Sequence, residues 1–376
     1  MKDKKTVKGF FIALLCCLFF AGCSGSGKIT GSELYAESVG IDYEDGGFVC
    51  TVQVFDPDTG AVTYQEQQES MTTVIGAAGD SVAGALSQIP QKLSRRVFYS
   101  QNKVIVLGQS ALSVPEQSLD FFLRDWESGL NTRLMIADGD AATIINADFG
   151  GVVNPSERLR LAAEGERTGG SSGICTLLDI VKASADDTLG LAIPVMRLQN
   201  RGEDNEHLEC VSSLLFAGLR PVGELTAEQS QTLLMLRNRA SSVEISLGGT
   251  EQTAVELTKI KTVTDVSVEY ADEGPAVICR LDISAKGAVT QSASHAEIDR
   301  IGSLITAQLE KRARQTAESA AKYGCDLFKI AQRLRYADKN YYRAVRKNWK
   351  GELSRVWFVI RADCVITKTG DKTLRM

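Results

Sequence analysis

The first 23 residues constrain this chain more than any other stretch. Lys2, Lys4, Lys5 and Lys8 lead into an apolar run from Phe10 to Gly22, which stops at Phe20-Ala21-Gly22-Cys23. A basic start, a short apolar stretch and small residues before a cut form a secretory signal rather than a structural helix. Spanning a bilayer takes about 20 apolar residues, more than this run offers. Ala-Gly-Cys has the form of a lipobox, in which the cysteine thiol is acylated and becomes the new N-terminus; Phe20 stands where lipoboxes usually carry Leu. Residues 1–22 are thus expected to be a lipoprotein signal peptide, Cys23 the lipidation site and 23–30 a small, polar tether.

No other segment is apolar for long enough to span, so the remainder is expected to be exported and held to the outer face of a membrane by lipid alone. Removal of four lysines and Asp3 with the signal takes the formal charge from −5 to −8. That acidic balance argues against a nucleic-acid partner. The roughly 350 residues that follow exceed one typical domain.

Along the chain, Tyr35–Tyr43 reads as a strand, Asp45-Gly46-Gly47 as a tight turn and Phe48–Phe55 as the returning strand. Val74, Ile75, Ala78, Val82, Ala85, Leu86 and Ile89 recur at helical spacing up to Pro90. Lys103–Leu107 is a short buried strand, Leu119–Trp126 a helical segment, Leu134 and Ile136 part of a strand, and Ala141–Ile145 a short helix. This interleaving predicts an α+β (mixed α/β) fold of sheets packed with helices. The polar stretch Asn200–Glu206 marks a boundary between an N-terminal domain at 31–200, with room for two subdomains, and a C-terminal domain at 207–370. Beyond it, Cys210–Ala217 and the region around Val222 suggest a hairpin. Thr226 and Gln229, then Ser294 and Glu297, form capping boxes. Two long strands follow near Ala254–Val268 and Ala276–Ile283. Ile298, Ile301, Ile305, Leu309 and Ala313 mark one face of a long helix that breaks near Gly324, and Val356–Ile366 alternates as the last strand.

Six cysteines remain after the tether: Cys50, Cys175, Cys210, Cys279, Cys325 and Cys364. In an exported chain they could form three disulfides. Cys50, Cys279 and Cys364, however, fall in phase with the apolar residues of their strands, where a free thiol behaves as a small hydrophobe. Both readings stay open at this level.

Two motifs are tempting and fail on context. Gly22-Cys23-Ser24-Gly25-Ser26-Gly27-Lys28 nearly spells a phosphate-binding loop, but Ile29 replaces the magnesium-ligating hydroxyl and no strand precedes it. Gly169-Gly170-Ser171-Ser172-Gly173 matches a nucleophile elbow but follows a polar loop, not a strand. Only His207 and His295 could serve as imidazole bases; the first sits in the acidic boundary loop and the second in the first turn of a capped helix. No His/Cys/carboxylate group has metal-ligand spacing, and Asp138-Gly139-Asp140 reads as a turn. No catalytic residue, metal or cofactor is therefore expected.

One local anomaly remains. Between Lys311 and Lys350 there are twelve Lys/Arg against Glu318, Asp326 and Asp338, interleaved with Tyr323, Phe328, Tyr336, Tyr341, Tyr342 and Trp349. Either this is a solvated helix face with core-facing aromatics, or it meets an anionic membrane surface or an acidic partner.

The pieces resemble the C-subunit lipoproteins of spore germinant receptors. The resemblance rests on Ser38-Val39-Gly40-Ile41-Asp42 followed by Thr51-Val52-Gln53-Val54, and on Asn102 to Gly108 followed by Leu119 to Asp125. It continues through Ala192-Ile193-Pro194-Val195, the Gly-Xaa-Leu turn in Pro221-Val222-Gly223-Glu224-Leu225, Trp349, the final strand and Gly370. Many members carry Trp-Asp after the lipidated cysteine, where this chain has Ser24-Gly25. The resemblance implies a non-enzymatic subunit on the outer face of the spore inner membrane. It would assemble with two integral-membrane subunits, one transporter-like, into a receptor for small nutrients. The rival readings are a solute-binding lipoprotein of a transporter and a lipoprotein hydrolase using Ser171.

Overall fold

The computed structural model describes residues 33–57, 72–125, 127–149, 155–164, 175–200, 206–247, 253–272, 274–291 and 298–369. The signal, Cys23, Ser171, His295, the Ser294–Glu297 box and Gly370 lie outside the described residues.

The chain opens as the expected hairpin. β1 (Glu33–Glu44) pairs antiparallel with β2 (Gly47–Phe55), joined by Asp45 and Gly46, both at positive φ. The periodicity over Val74–Ile89, in contrast, is not one helix. β3 (Thr72–Gly79) pairs with β2, and α1 (Val82–Leu93) begins after Ser81, whose hydroxyl accepts from the Gly84 amide. Val74, Ile75 and Ala78 fell into helical phase by coincidence, because a strand with small residues lacks a clean alternation. Nor does Pro90 end α1, which runs on to Leu93. A proline in a helix removes the amide that would serve the carbonyl four residues back. Here that carbonyl, on Leu86, accepts instead from the Tyr99 hydroxyl at 3.5 Å.

β4 (Arg96–Phe98) and β5 (Val104–Leu107) both lie parallel to β1. α2 (Pro115–Arg124), β6 (Arg133–Ala137), α3 (Ala141–Ile145), α4 (Pro155–Glu164), α5 (Leu177–Ala185) and β7 (Gly190–Asn200) complete the first half. β8 (Glu206–Ala217) and β9 (Arg220–Thr226) then extend the same sheet, whose order is β3-β2-β1-β5-β6-β7-β8-β9 with β4 beside β1. The strands on either side of the expected boundary, β7 and β8, are paired antiparallel, so one sheet runs through both halves of the chain.

Burial on both faces explains why β5 and β6 read as continuous apolar runs. Ile105, Leu107, Leu134 and Ile136 join a core with residues of α1, α2 and α5, while Val104, Val106 and Met135 join one with residues of α3 and α4.

The second sheet is β10 (Ser242–Leu247), β11 (Thr253–Ala271), β12 (Gly274–Gln291) and β13 (Trp357–Thr369), in that order. α6 (Ala227–Leu236) carries the Thr226/Gln229 capping box as expected. In α7 (Ile298–Lys322), the stripe Ile301, Ile305, Leu309 and Ala313 is buried in a core that includes Val255, Leu257, Cys279 and Leu281. That core also takes in Ala192, Leu215 and Leu225 of the first sheet, so the two sheets share apolar packing. After α7, Gly324 adopts φ +73°, the left-handed conformation that glycine tolerates best, and the chain turns. α8 (Ile330–Ala337), α9 (Lys339–Val345) and α10 (Trp349–Leu353) lead into β13.

Candidate functional site

A built polar site lies where the segment after α7 meets the start of β7. The Gly190 amide donates to the Asp326 carbonyl at 3.1 Å. The Cys325 thiol lies 3.4 Å from the Leu191 carbonyl and 3.3 Å from that of Phe216, so it reaches both β7 and β8. A β-carbon on Gly190 would sit 2.7 Å from the Asp326 nitrogen, which leaves room for glycine alone. The next crossing is similar. On β9, Gly223 lies under the Tyr323 ring, and a β-carbon there would approach Cδ2 to 2.6 Å. The Gly-Xaa-Leu element expected as a turn is therefore strand. The turn lies at Gly218 and Leu219, and the β8–β9 register shifts between Leu215 and Phe216.

Asp326 is 2% exposed, and its carboxylate caps the start of α8, accepting the Ile330 and Ala331 amides at 2.9 Å each. Burial pushes its pKa up to about 6, against the opposing pull of those amides. Beside it is a cavity of about 340 Å³ lined by Asp179, Lys182, Asp186, Arg237, Lys329 and Gln332, among others. Its other carboxylates are engaged locally. Asp179 accepts from the amide and hydroxyl of Thr176, and Asp186 from those of Thr188. Burial alone would raise Asp186, but bonds from Thr188 and Gln332 and the attraction of Arg346 outweigh it and hold the carboxyl low.

A second buried carboxylate sits in the Ser-Val-Gly-Ile-Asp segment. Asp42 accepts the Ala141 amide at 2.8 Å and the Ala142 amide at 3.1 Å, tying β1 to α3; burial raises its pKa. Gly40 allows this approach, because a β-carbon there would meet Ile145 Cγ1 at 2.9 Å. The motif thus builds architecture.

The residues weighed for chemistry do not converge. His207 lies in β8 opposite Gln199, half-buried, rather than in the boundary loop. Asp138 pairs with Arg197 and accepts from Gln109, beside Gly139 at φ +126°. All six cysteines described are buried, with Cys50, Cys279 and Cys325 pushed up to about 12 by desolvation. Among the described residues no cluster of His, Cys, Asp or Glu could hold a metal ion, and no helix is long and apolar enough to cross a membrane.

Of the aromatics in the basic stretch, Phe328 and Trp349 are buried, Tyr341 and Tyr342 pack against the C-terminal core, and Tyr336 is 89% exposed. Nothing in sequence spacing pointed to the Gly190–Asp326 contact, since its halves are remote in the chain. Gly190 and Gly223 both lie in strands, where a glycine marks close approach of another backbone or ring.

These features define a two-sheet α+β protein whose built polar sites bind its own backbone. Two family models match it: the spore germination protein N-terminal domain over residues 33–198, and the spore germination B3/GerAC-like C-terminal domain over 212–370. The chain belongs to this family, the spore germination proteins of the germinant-receptor C-subunit type. Its fold is similar to that in the crystal structure of the GerBC protein, with a TM-score of 0.56 and 18% identity, covering 87% of this chain and 96% of that one. No curated protein matches the chain. A role in spore germination, and association with other receptor subunits, go with the family.

Proposed function

We propose that this chain is the lipid-anchored, non-enzymatic subunit of a nutrient germinant receptor. In this reading residues 1–22 are removed, Cys23 carries the acyl chains, 23–30 form the tether, and 31–200 and 207–370 form two domains on the outer face of the spore inner membrane. The subunit works through contacts with two integral-membrane subunits, one of them transporter-like.

The observation that carries this reading is the pair of family matches in order along the chain, over 33–198 and 212–370, preceded by Phe20-Ala21-Gly22-Cys23. The engaged carboxylates and protonated, buried thiols support a protein that works by its surfaces. The test is Cys23→Ala in sporulating cells. The wild-type protein should fractionate with the spore inner membrane and carry a diacylglyceryl mass on its N-terminal peptide. The variant should leave that fraction, and nutrient germination should fall with it. A variant that stays in the membrane and supports germination would contradict the anchor.

A further inference from the structure

Core packing accounts for most of the aromatics in the basic stretch, but not for its cations. From Lys329 to Lys350 there are eight Lys/Arg against Asp338 alone, a local excess of seven positive charges in a chain whose total is −5. Asp338 is already engaged: it accepts the Asn340 and Tyr341 amides on one oxygen and the Tyr270 hydroxyl, at 2.6 Å, on the other. Arg333 donates to the Thr264 carbonyl. Arg335, Lys339, Arg343, Arg346, Lys347 and Lys350 are exposed, and none forms an ion pair with a described residue. Arg346 reaches Asp186 only by longer-range attraction. Lys339 and Arg343 stand four residues apart in α9, a spacing that places helical side chains together, and Lys347 follows in a 3-10 turn. Tyr336, the most exposed aromatic of the stretch, stands next to Arg335.

The sheet register shows where this segment sits. β1, β5, β6 and β7 run parallel. Val39 pairs with Ile105 and Ile105 with Leu134, while Ile136 pairs with Val195. Stepping across the sheet, Gly190 lies level with Ala36, close to Glu33 where β1 begins. Because Gly190 is bonded to Asp326, the basic segment is rooted at the end of the sheet where the tether enters. The chain from Cys23 to Glu33 can span at most about 35 Å.

We propose that the segment Lys329–Lys350 docks on the anionic headgroups of the bilayer that holds the lipid anchor, and so fixes the attitude of the ectodomain. Clustered Lys and Arg near a bilayer are drawn to anionic lipid, and an exposed Tyr suits the headgroup layer. Its position relative to the anchor rests on the Cys23 reading; its charge does not.

The test uses the acylated full-length protein on vesicles of pure phosphatidylcholine and on vesicles containing phosphatidylglycerol, read by hydrogen exchange. At low salt, amides in 335–348 should exchange several-fold more slowly on the anionic vesicles. The difference should vanish at high salt and in the quadruple variant R335E/K339E/R343E/K347E, with β1 and β2 exchange unchanged as the folding control. Equal exchange on both vesicles, as an acidic protein partner would give, overturns the proposal. So does a difference that survives the quadruple variant. Retention on pure phosphatidylcholine reads the anchor separately. If retention fails, sedimentation that requires phosphatidylglycerol still supports docking, and its absence overturns it.

Discussion

The amide of Gly190, first residue of β7, donates to the carbonyl of Asp326 at 3.1 Å, and this bond joins the start of a central strand to the turn that follows the longest helix. The Cys325 thiol, close to the Leu191 and Phe216 carbonyls, reinforces it. The C-terminal half is thereby fixed to the first sheet through backbone contacts as well as through the shared core.

Gly190→Ala should test that seam. The added methyl would fall against Cys325 Sγ and 2.8 Å from the Cys325 carbonyl carbon, so backbone must move. Overpacking of this kind costs about 1–3 kcal/mol. Denaturant unfolding should show that loss, whereas an unchanged midpoint would mean the seam yields freely.

Asp326 should make stability depend on pH. Its pKa is raised in the folded protein, from 3.8 to about 6, so the folded state binds the proton more tightly than the unfolded chain. The sign follows: its contribution is fully present below pH 3.8 and is lost as pH rises through 6, by about 3 kcal/mol at most. Unfolding of wild type compared with Asp326→Asn between pH 4 and 7 should diverge by that slope. Parallel curves would contradict it.

Truncating Asp42 should be costly as well. Asp42→Ala leaves the buried Ala141 amide and its neighbour Ala142 without their acceptor, a loss of about 1–3 kcal/mol. The expected result is a lower thermal midpoint with faster amide exchange in α3; unchanged exchange there would show that water replaces the cap.

The six described cysteines should be unreactive until the protein unfolds. All are buried, and burial opposes formation of the thiolate. Maleimide should label none of them in the native protein and all six in denaturant without reductant. Fewer than six in denaturant would indicate disulfides.

Much of this fold was legible in the sequence because its signals are local. The opening hairpin followed from alternation around Asp45-Gly46-Gly47, α7 from a stripe at helical spacing, and α6 from its capping box. The boundary between β3 and α1 is hidden because Val74, Ile75 and Ala78 mimic the helical period, and Pro90 reads as terminal because its compensation, Tyr99, comes from the residue after β4. α8, α9 and α10 were visible only as composition. They are short, and α9 buries no residue fully. The Gly190–Asp326 seam was illegible, since no periodicity encodes a contact between two distant backbones.

Membership of this chain in a membrane receptor is tested by crosslinked pull-down of the tagged protein from spore membranes. Mass spectrometry should recover two multi-span subunits, one of them transporter-like. Recovery of an ATP-driven permease, or of no membrane partner, would contradict receptor membership.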